Sequence, residues 1–417
     1  TELLAYTVTY DGNGQTSGSV PIDGNAYLEG QSVSVLGKTG SLVKTGYAFA
    51  GWNTAAVGGG DSYSAGDTFS ITSNVTLYAK WVLHTGIIIH VNDDAPGPIY
   101  DGTTWTNAYT DLRVALAAAE SGDQVWVASG YYFPGSRYDT FMLKNGVTVY
   151  GGFDGTESLL GQRNPDPASN NTTLGMSTVN DVRPLHVVTS IADTDATAIL
   201  DGFTIAKGNA DSSSPYPDGN RGGGLIIYGS PTLANLIVKD CSASFSGAGM
   251  YINGGSPVLT NIVFTDNKVF LGTGGGLAIH DASPTMTDIK FYNNQQVGDY
   301  GGAGMHIAGG RPTLTNAIFN NNNGINGGGL SLISVSPYPS DEKKVFDTSL
   351  ALTNAIFVNN KARDNKGSAA YISGGSATFT NVVFTGNESS AEGALYVGSA
   401  VDIDDNLPPG VYGSATV

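Results

Sequence analysis

Cysteine is almost missing. Cys241 stands alone among 417 residues, so the chain can close no internal disulfide and build no cysteine metal cluster. Its default role is that of a small buried hydrophobe. Charge is scarce and one-sided: charged residues make up 13%, with 19 Lys+Arg against 36 Asp+Glu and a formal net charge of −17. Nucleic acid and anionic membrane surfaces both need clustered Lys and Arg, so neither is expected as a partner. No apolar run reaches the ~18 residues of a membrane span. The chain opens on Thr1 without a basic-then-apolar leader, which suits a mature form or an excised fragment whose export signal and anchor lie elsewhere.

Glycine, by contrast, is abundant. Its 58 residues are about twice the ordinary share of ~7%, yet no three-residue collagen period is present. The 40% hydrophobic content is too high for simple disorder. Glycine therefore marks turns, and the length allows two or three domains.

Residues 6–81 read as a small all-β unit. Tyr6-Thr7-Val8-Thr9-Tyr10 and Val75-Thr76-Leu77-Tyr78-Ala79-Lys80-Trp81 alternate apolar and polar residues, as half-buried strands do. Between them lie Asp11-Gly12-Asn13-Gly14 and the block 46–53, GYAFAGWN. These blocks, with YSAGDTF and NVTLYAKW, resemble the internalin B-repeat, also called the Listeria–Bacteroides repeat. The resemblance implies a β-grasp-like module of cell-surface proteins, which spaces or binds and carries no catalytic residues.

After a transition comes the one convincing helix, expected over 111–120. Leu112, Ala115, Leu116 and Ala119 share a face, Thr110 or Asp111 caps the start, and Gly122 the end. Strands are expected at Gln124–Ala128 and 146–150.

From residue 222 the glycine acquires a period. GGGL or GAGM blocks start at 222, 247, 274, 302 and 327, with weaker copies at 367 and 392. Steps are 25 to 28 residues apart, except for one of 40 that holds an insertion around 338–348. A second signature recurs in each repeat: Phe264/Asn267, Phe291/Asn294, Phe319/Asn322, Phe357/Asn360 and Phe384/Asn387. Spacing near 25 residues with short strands and no helical period suits one coil of a β-solenoid. In such a coil Leu225/Ile227 and their counterparts point inward, as do Ile262/Phe264 and theirs; Ile226, Tyr251, Ala278, His306 and Ser331 point out. Phenylalanines then stack in the interior, asparagines stack at one corner, glycines take positive φ at another, and the helix caps the open end of the core.

The stretch 102–132, with LKNGVTVYGGFDGTE and ILDGFTIAKGNA, resembles bacterial pectate-lyase-like β-helix surface proteins. The repeated glycine and FxxN blocks resemble the polymorphic outer-membrane proteins of Chlamydia. The expected architecture is all-β: a β-grasp-like module at 1–83, then a right-handed parallel β-helix at 84–417. Within it, cap and first coils span 84–221, regular coils 222–400 and the C-terminal end 401–417. The resemblance implies little about activity, because lyases, hydrolases, adhesins and passenger domains share this architecture.

A hydrolase or lyase on a β-helix needs grouped carboxylates on an outer face, and the outward columns read here supply none. His280, Asp281, His306, Arg311 and Tyr251 form the patch to inspect first, with His280 and His306 on neighbouring coils ~8 Å apart; solvated histidines and an Asp281–Arg311 surface ion pair are the plainer account. Exposed Tyr251, Tyr371 and Tyr396 are candidates for stacking on sugars. Asp193/Asp195, Asp93/Asp94 and Asp402/Asp404/Asp405 offer the oxygen ligands of Ca²⁺, without a complete binding loop. The sequence therefore points to a non-enzymatic extracellular bacterial surface protein with no cofactor, an adhesin or structural stalk whose partners are surface glycans, proteins or copies of itself. A carbohydrate-active or carbohydrate-binding β-helix is the second reading, and a self-assembling filament subunit the third.

Overall fold

Each regular coil is built from three strands whose side chains alternate across a narrow core. One coil runs from Met250–Asn253 through the long strand Val258–Thr265 to the two-residue strand Lys268–Val269, and the next glycine block returns the chain to the start. The computed structural model describes residues 5–38, 42–176, 180–211, 218–298, 301–334, 345–389, 393–398 and 414–416. Among these, the coils stack in parallel into three sheets of nine short, thirteen long and seven corner strands. The long sheet begins at Ile88–Val91, well before the glycine period, and ends at Ser414–Thr416.

Register is strict, so like residues meet. Val238, Phe264, Phe291, Phe319, Phe357 and Phe384 pair in sequence along the long sheet. From Phe264 onward the rings stack at centroid distances of 5.1, 4.7, 4.4 and 5.1 Å. The long strands do not alternate throughout. Asn235, Asn261, Asp288, Asn316, Asn354 and Asn381 interrupt them at φ between 50° and 59°, a region that asparagine and aspartate enter more readily than other side chains. Two successive residues, such as Thr260 and Asn261, then face outward before Ile262 turns in.

The glycine blocks serve two purposes. Gly274 takes φ +67 at the corner, as expected from the sequence. Two residues on, Gly276 has an ordinary φ, but a Cβ there would sit 2.6 Å from the carbonyl oxygen of Gly304 on the next coil. Gly224, Gly249, Gly304 and Gly329 repeat that close approach. The middle position carries alanine in two coils, Ala248 and Ala303, which accounts for the GGG and GAG variants.

The helix is shorter than expected, Leu112–Ala118. Asp111 caps it by accepting from the Arg113 N–H at 2.8 Å. At the other end the Lys144 ammonium donates to the carbonyls of Leu116, Ala117 and Ala119, satisfying groups that a helix leaves open; Gly122 lies beyond that cap. Leu112, Ala115 and Leu116 are buried at the first coils.

The N-terminal module pairs Val8–Asp11 parallel to Val75–Leu83, which pairs antiparallel to Tyr47–Asn53. Trp52 is fully buried, meets Tyr10 edge-on at 4.7 Å and donates its indole N–H to the Leu36 carbonyl at 2.9 Å. Polar contacts join module and solenoid: Lys38 to Glu120 at 2.8 Å, Ser19 to Asp193 at 2.6 Å, and Asn145 to Ser17 at 3.2 Å.

Candidate binding surface

The outer side of the short sheet is not the open surface that the sequence suggests. Ile226, Tyr251, Ala278, His306 and Ser331 point away from the main core, yet none exceeds 4% exposure. Chain folds back over them. Ile226, Tyr251 and Ala278 form a small second core with Tyr228, and Ala308, Ile333, Phe346 and Tyr371 form another. The Arg221 guanidinium lies 5.4 Å from the Tyr251 ring and 5.2 Å from that of Phe245.

The histidine patch is therefore corrected. Tyr251, His280 and His306 do come together, with ring centroids 5.2 Å and 5.9 Å apart along the series, but Tyr251 and His306 are buried and Phe346 approaches His280 edge-on at 6.5 Å. Burial, with His280 beside it, holds the His306 imidazole well below the usual histidine range, so it is neutral, 3.3 Å from the Ser331 hydroxyl. Both residues are buried, which closes this pair to substrate. Arg311 reaches Asp347 at 2.8 Å on the exposed surface, while Asp281 sits at a turn with φ +47. Tyr371 and Tyr396 stack on each other at 5.1 Å and are half-buried, so they are not separate platforms.

Of the acidic pairs, Asp193 accepts from Ser19, Asp195 from the Thr197 N–H at 2.9 Å, and Asp93 from the Tyr131 N–H at 3.2 Å. Burial pushes the Asp93 carboxyl upward. Asp402, Asp404 and Asp405 lie outside the described residues. Among the described residues no group of three or more His, Cys, Asp and Glu side chains converges.

Two asparagine ladders run along the axis. The inner one lies at Asn267, Asn294, Asn322, Asn360 and Asn387. Asn294 is representative: its amide donates to Asn322 at 3.0 Å and to the Phe264 carbonyl at 2.9 Å. Its oxygen accepts from the Asn267 side chain at 3.0 Å and the Asn267 N–H at 3.2 Å. All four of its hydrogen-bonding capacities are used. Cys241 occupies the first position of this series and donates its N–H to Asn267 at 3.1 Å; burial pushes its thiol up to about 12.

The outer ladder consists of the residues that interrupt the long strands, and the sequence reading missed it. Asn261 donates to Asn235 at 2.8 Å, Asn316 to Asp288 at 2.9 Å, Asn354 to Asn316 and Asn381 to Asn354 at 3.1 Å each. Beside it a row of Val263, Lys290, Ile318, Ile356 and Val383 stands in register. The two rows bound a shallow groove of about 370 Å³, lined among others by Asn261, Asp288, Lys290, Asn316, Ile318 and Ile356. The signal was present: Thr-Asn or Thr-Asp recurs at 260, 287, 315, 353 and 380, its Asn or Asp three residues ahead of each phenylalanine.

Residues 6–80 match the Listeria-Bacteroides repeat domain, and residues 169–337 match the right handed beta helix region, so the solenoid is a right-handed parallel β-helix behind a strand-built module of that repeat. Two relatives from Evansella cellulosilytica, provisionally named as a Gly-rich membrane protein and a membrane protein, are 45% and 43% identical over 80 and 77 residues. Those matches take in 19% and 18% of this chain and 9% and 11% of the relatives; the chain spans about a tenth of the length of the curated relatives it matches. The catalytic unit of a thermostable alpha-1,3-glucanase from Streptomyces thermodiastaticus shares 14% identity over 86% of this chain and 74% of that one, at a TM-score of 0.17, which carries no argument. No helix among the described residues is long and apolar enough to cross a membrane.

Proposed function

We propose that the chain is part of a bacterial cell-surface protein and works without catalysis, as a rigid stalk that presents a binding face. One observation carries this reading: the solenoid closes the outer side of its short sheet with its own chain and leaves open the long sheet, whose outward rows are hydroxyl, amide and aliphatic. A polysaccharide hydrolase would need converging acids on an open outer face, and the short-sheet positions hold Ile226, Tyr251, Ala278, His306 and Ser331 under cover. Stacked at about 4.8 Å per strand, the long sheet makes a rod roughly 50 Å long. The N-terminal repeat and the membrane-protein names of the relatives support a surface location.

The test is retention of beads coated with the purified chain on bacterial and host cell surfaces, run beside an assay for new chain ends released from polysaccharides. Retained beads and no new ends are expected. Turnover that disappears in Asp288→Asn, or in another outer-face acid variant, would overturn the reading.

A further inference from the structure

The two asparagine ladders differ in what they leave unused. Inside, the buried amides of Asn294, Asn322 and Asn360 spend both donors and both acceptor sites on protein. Outside, each amide in the run Asn316, Asn354 gives one donor to the coil before it and one acceptor site to the coil after it. An asparagine side chain has two donors and two acceptor sites, so one N–H and one lone pair per coil face outward, held in direction by the ladder itself. Such clamped groups lose little freedom on binding a ligand.

The neighbouring row adds an apolar strip. Ile356 and Val383 are 44% and 54% exposed; Ile318 and Ile356 line the groove, and Val383 continues their row on the next coil. Lys290 interrupts this row, and Asp288 stands two residues before it on the same strand. Their charges cancel, so the groove is neutral in a chain of net charge −17. A polyanion would meet the field of the whole chain with no basic cluster to hold it; a neutral ligand would meet no such penalty.

We propose that this groove binds a neutral polysaccharide in extended conformation, lying along the solenoid axis with one sugar residue per coil. Coils repeat at about 4.8 Å, comparable to the advance of one sugar in an extended glycan. At Asn316 and Asn354 a sugar would offer hydroxyls to the free amide donor and acceptor, at Asp288 to a carboxylate acceptor alone, and each would lay a C–H face along the Ile318–Ile356–Val383 row. The proposal rests on the stalk reading and names the partner of its open face.

The experiment is affinity electrophoresis and calorimetry of the full chain against neutral polymers (xylan, mannan, mixed-linkage glucan) and acidic ones (polygalacturonate, alginate). Retardation by at least one neutral polymer and none by the acidic ones is expected. The deciding variant is Asn316→Gly/Asn354→Gly, which removes two amides while keeping a residue at ease with positive φ. Losing two hydrogen bonds of about 0.7 kcal/mol each predicts roughly tenfold weaker binding. The control, Asn321→Gly, removes an amide of the same kind, exposed, at φ +58 and bonded to Asn293 at 2.7 Å, from the next corner outside the groove; its binding should equal that of the parent.

No neutral polymer bound, preference for the acidic ones, or binding that the double variant leaves intact would each overturn the proposal. So would sedimentation showing a dimer that the double variant dissociates, since a second copy would then own the face. Bead adhesion separates the two levels: beads retained without glycan binding leave the stalk reading and remove the groove, whereas glycan turnover removes the stalk reading.

Discussion

The same side chain carries opposite energetics at two corners of one coil. Replacing Asn294 by leucine takes the side-chain partner from the buried Phe264 carbonyl, the Asn267 backbone N–H and one N–H of the Asn267 amide, while the Asn322 oxygen keeps the Asn294 backbone N–H. At about 1–3 kcal/mol for each unsatisfied buried group, we expect a loss of about 3–5 kcal/mol in urea unfolding. Asn316→Gly should cost no more than about 1 kcal/mol, because its amide is exposed and glycine accepts its backbone; equal losses for the two variants would refute this division. A second prediction concerns acid. His306 stays neutral in the fold, and burial lowers His186 in the same direction, whereas the unfolded chain takes up those protons near pH 6.5. Below that pH the unfolded state binds more protons, so stability falls as pH drops from about 6.5 toward the folded pKa values, by up to about 1.4 kcal/mol per pH unit for each histidine. His306→Gln should flatten the pH dependence of the urea midpoint by about one proton, and an unchanged slope would assign the acid sensitivity elsewhere. The inner ladder was legible because FxxN repeats in plain view. The outer one was not, since a residue at positive φ resets the alternation on which the in-and-out assignment depends, and nothing in a period of two announces the reset.

At the level of elements, the repeated glycines show where pattern reading stops. Period and position were visible in GGGL and GAGM, and the positive φ of the first glycine follows from its being a corner. The need for the third glycine arises from the coil above it: the Cβ of an alanine at 276 would stand 2.6 Å from the Gly304 oxygen, a distance that only backbone movement relieves. Gly276→Ala should therefore destabilise by about 1–3 kcal/mol, the usual cost of overpacking, in spite of the entropy that alanine removes from the unfolded chain. Thermal melting checks it; an unchanged or raised midpoint would mean that the coils can part at little cost. The burial of the short sheet's outer side escaped for a related reason. Tyr251 and Ala308 look outward in their own strands, and their cover comes from residues such as Arg221 and Phe346, 30 and 38 positions away. Strand alternation tells which side of a sheet a residue takes; whether that side meets water is decided by chain from elsewhere.

On the scale of the whole molecule, the module and the solenoid keep separate cores: the cluster around Trp52, Leu77 and Ile71 shares no residue with the one that runs from Ile89 to Phe379. What joins them is polar and partly exposed, with the Lys38 and Glu120 side chains at 19% and 31% exposure, and such contacts each contribute about 1 kcal/mol or less. Interfaces of this kind hold an orientation without supporting either core. Lys38→Ala/Ser19→Ala should therefore leave the urea unfolding of the solenoid within about 0.5 kcal/mol of the parent while raising the radius of gyration in small-angle scattering, as the module swings away from its seat beside the helix. An unaltered scattering curve would show that the remaining contacts, among them Asn145 to Ser17, are enough to hold it. The distinction bears on how a stalk presents its face: a module fixed beside the helix moves with the rod, whereas one released by the loss of two weak bonds turns independently of it.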